Sequence, residues 1–98
     1  MILEVAILQV KHELKEEFER NFKQASKIIK TMKGFKKLEL QKCIEEEDKY
    51  ILLVTWETLE DHTKGFRESV GYLEWKSLLH HFYDPFPVVE HYENIELE

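Results

Sequence analysis

Two segments of this chain carry apolar residues on both of the faces that a β-strand presents, and they constrain the fold more than any other feature. Leu3–Val10 and Tyr50–Trp56 are rich in aliphatic and β-branched residues and contain neither glycine nor proline, so each is predicted to be a strand. Successive side chains of a strand point to opposite faces. In the first strand the apolar residues form two sets, Leu3, Val5 and Ile7 on one face and Ala6, Leu8 and Val10 on the other. Both faces of such a strand need cover.

The segment from Glu13 to Lys33 repeats its apolar residues with the period of an α-helix. They are spaced three or four residues apart, with mostly lysine and glutamate between them: Leu14, Phe18, Phe22, Ala25, Ile29 and Met32. Gly34 follows and is a typical helix stop. The lysines between Lys23 and Lys42 fit the solvated face of this helix and the next strand better than a binding patch.

The second half of the chain is predicted to contain a hairpin, two helices and a last strand. Phe35–Cys43 alternates leucine with polar residues, and a charged turn joins it to Tyr50–Trp56 in an antiparallel pair. Thr58 can cap a short helix that breaks between Arg67 and Ser69, and Ser69 can cap a second helix that runs to about Phe82. Prolines at positions 85 and 87 then prevent helix, and Val88–Ile95 reads as the final strand.

The order β-α-β-β-α-β within one domain, residues 1–98, predicts an α+β fold of the ferredoxin-like class, an antiparallel four-stranded sheet with both helices on one face. The other face would expose several large aliphatic side chains, each forgoing roughly 1.5–3 kcal/mol of burial. A second copy of the same sheet is the simplest cover. We therefore expect a homodimer whose sheets pack face to face or close into a barrel.

Composition narrows the class of partner. The formal net charge is -6, which argues against nucleic acid and anionic membranes as partners. No apolar segment approaches 18 residues, and the first residues do not resemble a signal peptide. The lone Cys43 cannot form an internal disulfide and is interpreted as structural. These features predict a cytoplasmic protein.

Residues 56–92 hold most of the side chains that could carry chemistry, including four of the five histidines and both tryptophans. His62 falls between Leu59 and Phe66 on the apolar face of its helix. It is either a hydrogen-bonded core histidine or a general base or orienting partner in a pocket. Arg67, at the helix break, could pair with Glu57, with Asp84 or with an anionic substrate oxygen.

Aromatic residues and the remaining histidines extend this candidate site. The aromatic set, Phe66, Tyr72, Trp75, Phe82 and Phe86, is core or else lines a flat cavity for a planar aromatic ligand. His80 could cap the helix C-terminus as a cation, and His91 would face the pocket or a dimer contact. The spacing of the histidines matches no metal motif, so no metal is expected. The candidates for binding a substrate are Phe66, Trp75, His80, Phe82 and His91.

Four runs in the same stretch resemble the antibiotic biosynthesis monooxygenase family of dimeric α/β-barrel proteins. They are WETLEDH at residues 56–62, GFR at 65–67, SVGYLEW at 69–75 and LLHHFYDPFPVVEHY at 78–92. The resemblance implies a dimeric barrel and includes cofactor-free oxygenases of quinols and polyketides, haem-degrading enzymes and signal-processing proteins. The haem-degrading members use an Asn, a Trp and a His where this chain has Ile7, Phe66 and Lys76.

The resemblance therefore favours a cofactor-independent monooxygenase that acts on a quinol-like aromatic small molecule and needs no cofactor. In this hypothesis His62 is the base or orienting group, and Arg67 or Tyr72 lies near the substrate oxygen. The alternative is a non-catalytic dimer that binds a small ligand or acts in signalling, and haem binding is a third, less favoured interpretation.

Overall fold

The computed structural model describes residues 1–98, and it confirms the ferredoxin-like α+β fold. The regular elements, in chain order, are β1 (Ile2–Gln9), α1 (Lys15–Ile29), β2 (Phe35–Lys42), β3 (Lys49–Trp56), a π-helix (Asp61–Phe66), α2 (Val70–Leu79) and β4 (Val89–Glu93). Single 3₁₀ turns precede α1 and follow α2, at His12–Leu14 and His80–Phe82. None of the helices is both long and apolar enough to cross a membrane.

The four strands form one antiparallel sheet in the order β2-β3-β1-β4. β1 is central and pairs with β3 on one side and with β4 on the other, so that Glu4 lies opposite Val54 and His91. β2 and β4 are the edge strands. This register brings the middle of β1 beside the end of the chain, and it sets the position of the site described below.

The core lies between one face of the sheet and the helices. The buried sheet residues alternate as predicted: Ala6, Leu8, Val10, Tyr50, Leu52, Val54 and Trp56. They pack against the predicted face of α1, represented by Phe18, Phe22, Ala25 and Ile29, and against Trp75 and Leu79 of α2. The pattern of one buried and one open face is typical of an antiparallel sheet covered on a single side.

α1 is shorter than the predicted segment from Glu13 to Lys33. It ends at Ile29, because Thr31 and Met32 donate their N–H groups to carbonyls three residues back and tighten the chain into a turn. Gly34 has φ of 81°, the left-handed region that favours glycine, and its carbonyl accepts from the N–H of Glu57 at 2.8 Å. The chain therefore turns early enough to place Phe35 opposite Trp56.

The second face of the sheet is covered by no element of this chain. Its apolar side chains come from three strands and the residue before β4: Leu3, Val5, Ile7, Ile51, Leu53, Val88 and Tyr92. Ile7 is 41% exposed, Tyr92 51% and Val88 78%. β1 and β3 therefore carry apolar side chains on both faces, as predicted, and one of the two faces is open.

Candidate functional site

A cavity of about 390 Å³ lies between the covered face of the sheet, the π-helix, α2 and the segment that leads into β4. Most of its wall is apolar or aromatic, and its polar groups converge from different elements. The lining residues are Glu4, Ala6, Leu8, Leu52, His62, Phe66, Arg67, Tyr72, Trp75, His80, Tyr83, Phe86, Pro87 and Val89. A concave apolar site with a few convergent polar groups is typical of small-molecule binding.

The π-helix supplies one polar wall of the cavity. Thr58 and Asp61 cap the helical turn that leads into it, since the Asp61 N–H donates to Thr58 Oγ1 and the Thr58 N–H donates to Asp61 Oδ2, both at 3.2 Å. The N–H of Arg67 donates to the carbonyl of His62, five residues back, at 3.1 Å. This wider turn buries His62 and Phe66, whereas Leu59, predicted on the same face, is 38% exposed.

Glu4, His62 and His91 form a chain of polar side chains at one end of the cavity. Glu4 is buried on the covered face of β1, and its Oε1 accepts a hydrogen bond from Trp56 Nε1 at 2.9 Å. His62 Nε2 lies 3.3 Å from the same oxygen. On the other side of the ring, His62 Nδ1 is hydrogen-bonded to His91 Nε2 at 2.7 Å. Three residues from three different elements are therefore linked in a row.

Burial controls the charge of this row. It raises the pKa of Glu4, and the hydrogen bond from Trp56 and the positive charge of Arg67 only partly oppose that rise. Burial, with smaller contributions from Arg67 and His91, lowers the pKa of His62 to about 3. The pKa of His91 is lowered by its partial burial and by Arg67. His62 is therefore a neutral imidazole near pH 7, although it lies at ion-pair distance from a carboxylate.

Aromatic rings hold His62 and form the rest of the wall. Trp56 stacks on the imidazole of His62 with the ring planes 17° apart and the centroids separated by 5.5 Å. Phe66 meets Tyr72 and Trp75 edge to face, at 5.2 and 5.5 Å. The stacked Trp56 holds the ring of His62, and the rings of Phe66, Tyr72 and Trp75 form an aromatic wall of the cavity.

Two predicted roles in this region are wrong. Arg67 forms no ion pair with Glu57 or Asp84; it is exposed at the cavity edge with no carboxylate within 4 Å. His80 ends α2, but it is not a cationic cap, because burial first and then the nearby Lys76 lower its pKa. Its ring instead meets Phe86 edge to face at 4.9 Å inside the cavity.

Some of the predicted site residues line the cavity and others lie beside it. His62, Arg67, Tyr72, Phe66, Trp75 and His80 line the cavity. Phe82 does not: it lies in the 3₁₀ turn after α2 and is fully buried in the core, with its ring centroid 5.7 Å from that of Phe18. His91 lies behind His62, at hydrogen-bonding distance from it.

Glu4 and Tyr83 are cavity residues that the sequence reasoning missed. The signal for Glu4 was present, since it precedes Ala6 and Leu8 in the same alternation and so occupies a buried position of β1. A carboxylate at a position that the period assigns to the core is unusual. No group of three or more His, Cys, Asp or Glu side chains is arranged to hold a metal ion.

Comparison with known proteins gives a consistent assignment. The family model described as antibiotic biosynthesis monooxygenase matches residues 1–78. The chain is 57% identical over 95 residues to the uncharacterized protein YczJ of Bacillus subtilis (strain 168), covering 97% of this chain and 100% of YczJ.

Solved structures with a similar fold agree with the match to this family model. A Bordetella bronchiseptica protein, provisionally assigned as an antibiotic biosynthesis monooxygenase, is 29% identical with a TM-score of 0.91 and covers 97% of each chain. SnoaB, a cofactor-independent oxygenase from Streptomyces nogalater, has a TM-score of 0.85 over 97% of this chain and 93% of its own. At 15% identity, that second likeness concerns the fold alone.

Proposed function

The chain belongs to the antibiotic biosynthesis monooxygenase family, and from this premise we propose that it is a cofactor-independent monooxygenase of an electron-rich aromatic small molecule, such as a quinol. The observation that supports the proposal is the buried Glu4–His62 pair, which opens into a cavity with aromatic walls. Arg67, free of carboxylate partners, lies at the cavity edge, where it can stabilise an anionic oxygen.

The chemistry needs three properties that this cavity has. A phenol or quinol that loses its proton becomes an electron-rich anion, which passes one electron to dioxygen. The two radicals combine into a peroxide on a substrate carbon, and loss of water from the protonated peroxide leaves a new carbonyl. One oxygen atom stays in the product and the other leaves as water with two hydrogens of the substrate. The protein supplies a proton acceptor, a positive group beside the oxyanion and walls that exclude bulk water.

Within this proposal His62 acts together with its neighbours. A neutral imidazole with a pKa of about 3 is a weak base by itself. Its ring is fixed by Trp56 and its two nitrogens face Glu4 and His91. His62 therefore positions the Glu4 carboxylate, which faces the cavity and can meet the substrate hydroxyl, while Tyr72 and Arg67 hold the substrate oxygen from the other side of the cavity.

Oxygen consumption tests the proposal. Reduced menaquinone analogues, naphthols and anthrone serve as probe substrates for the wild type, His62→Ala and His12→Ala. We expect uptake above the spontaneous rate in the wild type and a fall of about 10²-fold or more in His62→Ala. His12, an exposed residue paired with Asp48 and remote from the cavity, is the matched control and should match the wild type. Uptake by the wild type no faster than in buffer would contradict the proposal.

A second function is favoured by one observation, the weak basicity of His62. The same aromatic cavity would then belong to a non-catalytic protein that binds a planar ligand or acts in signalling. Native mass spectrometry of the purified protein distinguishes the two. A retained aromatic ligand together with no oxygen consumption on any probe supports the binding protein, and turnover of a probe excludes it.

The open face of the sheet supports a proposal about assembly. Packing the open faces of two copies against each other would bury the apolar residues of β1 and β3 that nothing in the single chain covers. Each large aliphatic side chain so buried contributes roughly 1.5–3 kcal/mol. We therefore propose a homodimer formed sheet to sheet, with one cavity on the helix side of each copy.

A further inference from the structure

Glu4 and His62 are the two polar residues in the buried core. A carboxylate in the core is costly unless it has partners or a role. Glu4 has a hydrogen bond from Trp56 and a contact with His62, and it also faces the cavity. His62 in turn reaches His91 on β4, an edge strand, where His91 is only half buried and lies outside the cavity wall.

We propose that Glu4, His62 and His91 form a proton relay, in which His91 exchanges the proton of Glu4 with water and Glu4, once ionised, accepts the proton of the substrate. The inference rests on the proposed function, because the proton comes from the substrate of that reaction. Glu4 is then a catalytic residue, whereas His91 acts through His62 and is a positioning residue.

The geometry allows the proton to move by a change of tautomer. In the starting state Glu4 is protonated, its O–H faces Nε2 of His62, and the Nδ1–H of His62 faces Nε2 of His91. Transfer along the row breaks the Glu4 O–H and the His62 Nδ1–H bonds and forms N–H bonds at Nε2 of each histidine. His91 then holds two N–H groups and loses the one at Nδ1 to water. His62 is neutral at the start and at the end.

The return step restores the starting state. The peroxide formed from dioxygen must be protonated before water can leave. The ionised Glu4 takes the proton of the substrate and passes it to the peroxide. A proton taken from water by His91 then moves back through His62 to Glu4, and this reverses the tautomer of His62. Over one cycle the relay therefore gives out one proton and takes one back. Glu4 Oε1 and His62 Nε2 are 3.3 Å apart and in contact without a hydrogen bond, so the transfer requires the two groups to align, as catalytic groups often do only when a substrate is bound.

Burial and the nearby charged groups favour the roles proposed for Glu4, His62 and His91. Burial raises the pKa of Glu4, which makes it a better proton acceptor than an exposed carboxylate. The low pKa of His62 prevents the imidazolium from accumulating in the middle of the row. Arg67 is the cation that acts on all three groups, and the other titratable side chains around the cavity are Tyr72, His80 and Tyr83.

Histidine side-chain NMR tests the relay without any substrate. In the ¹⁵N-labelled wild type, we expect His62 to shift from the Nδ1–H tautomer to the Nε2–H tautomer as the pH rises and Glu4 ionises, above the usual range of a glutamate because burial raises its pKa. Glu4→Gln has the same shape but cannot ionise, and the shift should be lost. Glu17→Gln, on the exposed side of α1, is the matched control and should follow the wild type. A single His62 tautomer across the whole pH titration in the wild type would overturn the relay.

The rate of oxygen uptake with anthrone tests whether Glu4, His62 and His91 act as a relay during turnover. Glu4→Gln should lower the rate by about 10²-fold. His91→Ala should also lower the rate, and added imidazole should restore it, which loss of a purely structural contact would not allow. An unchanged rate in Glu4→Gln would overturn the relay and leave the proposed function standing. If the wild type consumes no oxygen, the proposed function fails and the tautomer shift alone decides whether the relay exists.

Discussion

At the scale of single residues, the site depends on polar groups buried where an apolar residue would be expected. Glu4 has 5% of its surface exposed and His62 has 3%. Each has partners: Trp56 donates to Glu4, and His91 bonds the far nitrogen of His62. No polar side-chain atom buried in the core is without a hydrogen-bond partner. Because such groups are costly to bury without partners, these contacts are needed for the stability of this part of the core.

The low pKa of His62 predicts a dependence of stability on pH. In the unfolded chain a histidine titrates near pH 6.5, while in the folded chain the pKa of His62 is about 3, because burial and then Arg67 disfavour its charged form. Between these values the unfolded state binds a proton that the folded state does not. The free energy of unfolding should therefore fall as pH drops below about 6.5, by at most about 1.4 kcal/mol per pH unit for this group.

Urea unfolding at fixed protein concentration, at about pH 7 and pH 5, measures this slope. His62→Gln should show a shallower fall than the wild type. His91, whose pKa is also lowered, adds to the fall, whereas the raised pKa of Glu4 acts in the opposite direction. Equal slopes in the wild type and His62→Gln would show that His62 can bind a proton in the folded state.

At the scale of elements, the shape of the cavity depends on the π-helix. Its wide turn directs His62 and Phe66 inward, and Arg67 follows at the edge. Ser69 is the N-cap of α2, since its Oγ accepts a hydrogen bond from the N–H of Tyr72 at 3.1 Å. The short break between the two helices therefore places residues from both around one space. Such π-helical turns are frequently found at functional sites.

The turn at Gly34 is predicted to control the start of this π-helix. A Cβ at Gly34 would clash with the carboxylate of Asp61, which caps the first turn, and its positive φ is unfavourable for alanine. We expect Gly34→Ala to lower the free energy of unfolding by roughly 1–3 kcal/mol, from backbone strain together with the lost cap.

A double-mutant cycle separates the two causes. Asp61→Ala alone loses the cap, and it removes the carboxylate part of the clash with Gly34→Ala while its own Cβ remains. Urea unfolding should show that the double variant is less destabilised than the sum of the single variants. Strict additivity would mean that Asp61 moves away freely and that only the backbone strain is felt.

At the scale of the whole molecule, the two faces of the sheet have different roles. The covered face carries the core and the cavity, and the open face carries the apolar side chains of Leu3, Val5, Ile51 and Leu53. These residues pair across β1 and β3 in one patch, with Val5 directly opposite Leu53. Exposed apolar patches of this kind mark interaction surfaces. The cavity and the proposed dimer contact therefore occupy opposite sides of each chain.

Charge introduced into this patch is expected to separate the dimer. Light scattering at micromolar concentration should give the mass of two chains for the wild type and of one chain for Leu53→Lys, because a buried, unpaired lysine is strongly unfavourable at the contact. Glu74→Lys, on the exposed side of α2, makes the same substitution away from the patch and should remain dimeric. A wild-type mass of one chain would exclude the sheet-to-sheet dimer.

The sequence by itself determined the order of the elements, the core face of α1, the alternation of β3 and the helix starts at Thr58 and Ser69. All of these depend on local information, because a period or a cap is read from residues only a few positions apart. The alternation of β1 also indicates the covered face for Glu4, a signal that was missed, but one strand does not show which groups surround the carboxylate.

Only the tertiary structure decided what surrounds each polar group. Glu4 meets His62 and His91 through the register of β1 with β4 and the wide turn of the π-helix, and both relate residues that are far apart in the chain. The tertiary structure likewise leaves Arg67 without a carboxylate partner and places Phe82 in the core beside the cavity. Long-range pairing creates such sites because a side chain acquires its charge state from neighbours that its own segment does not contain.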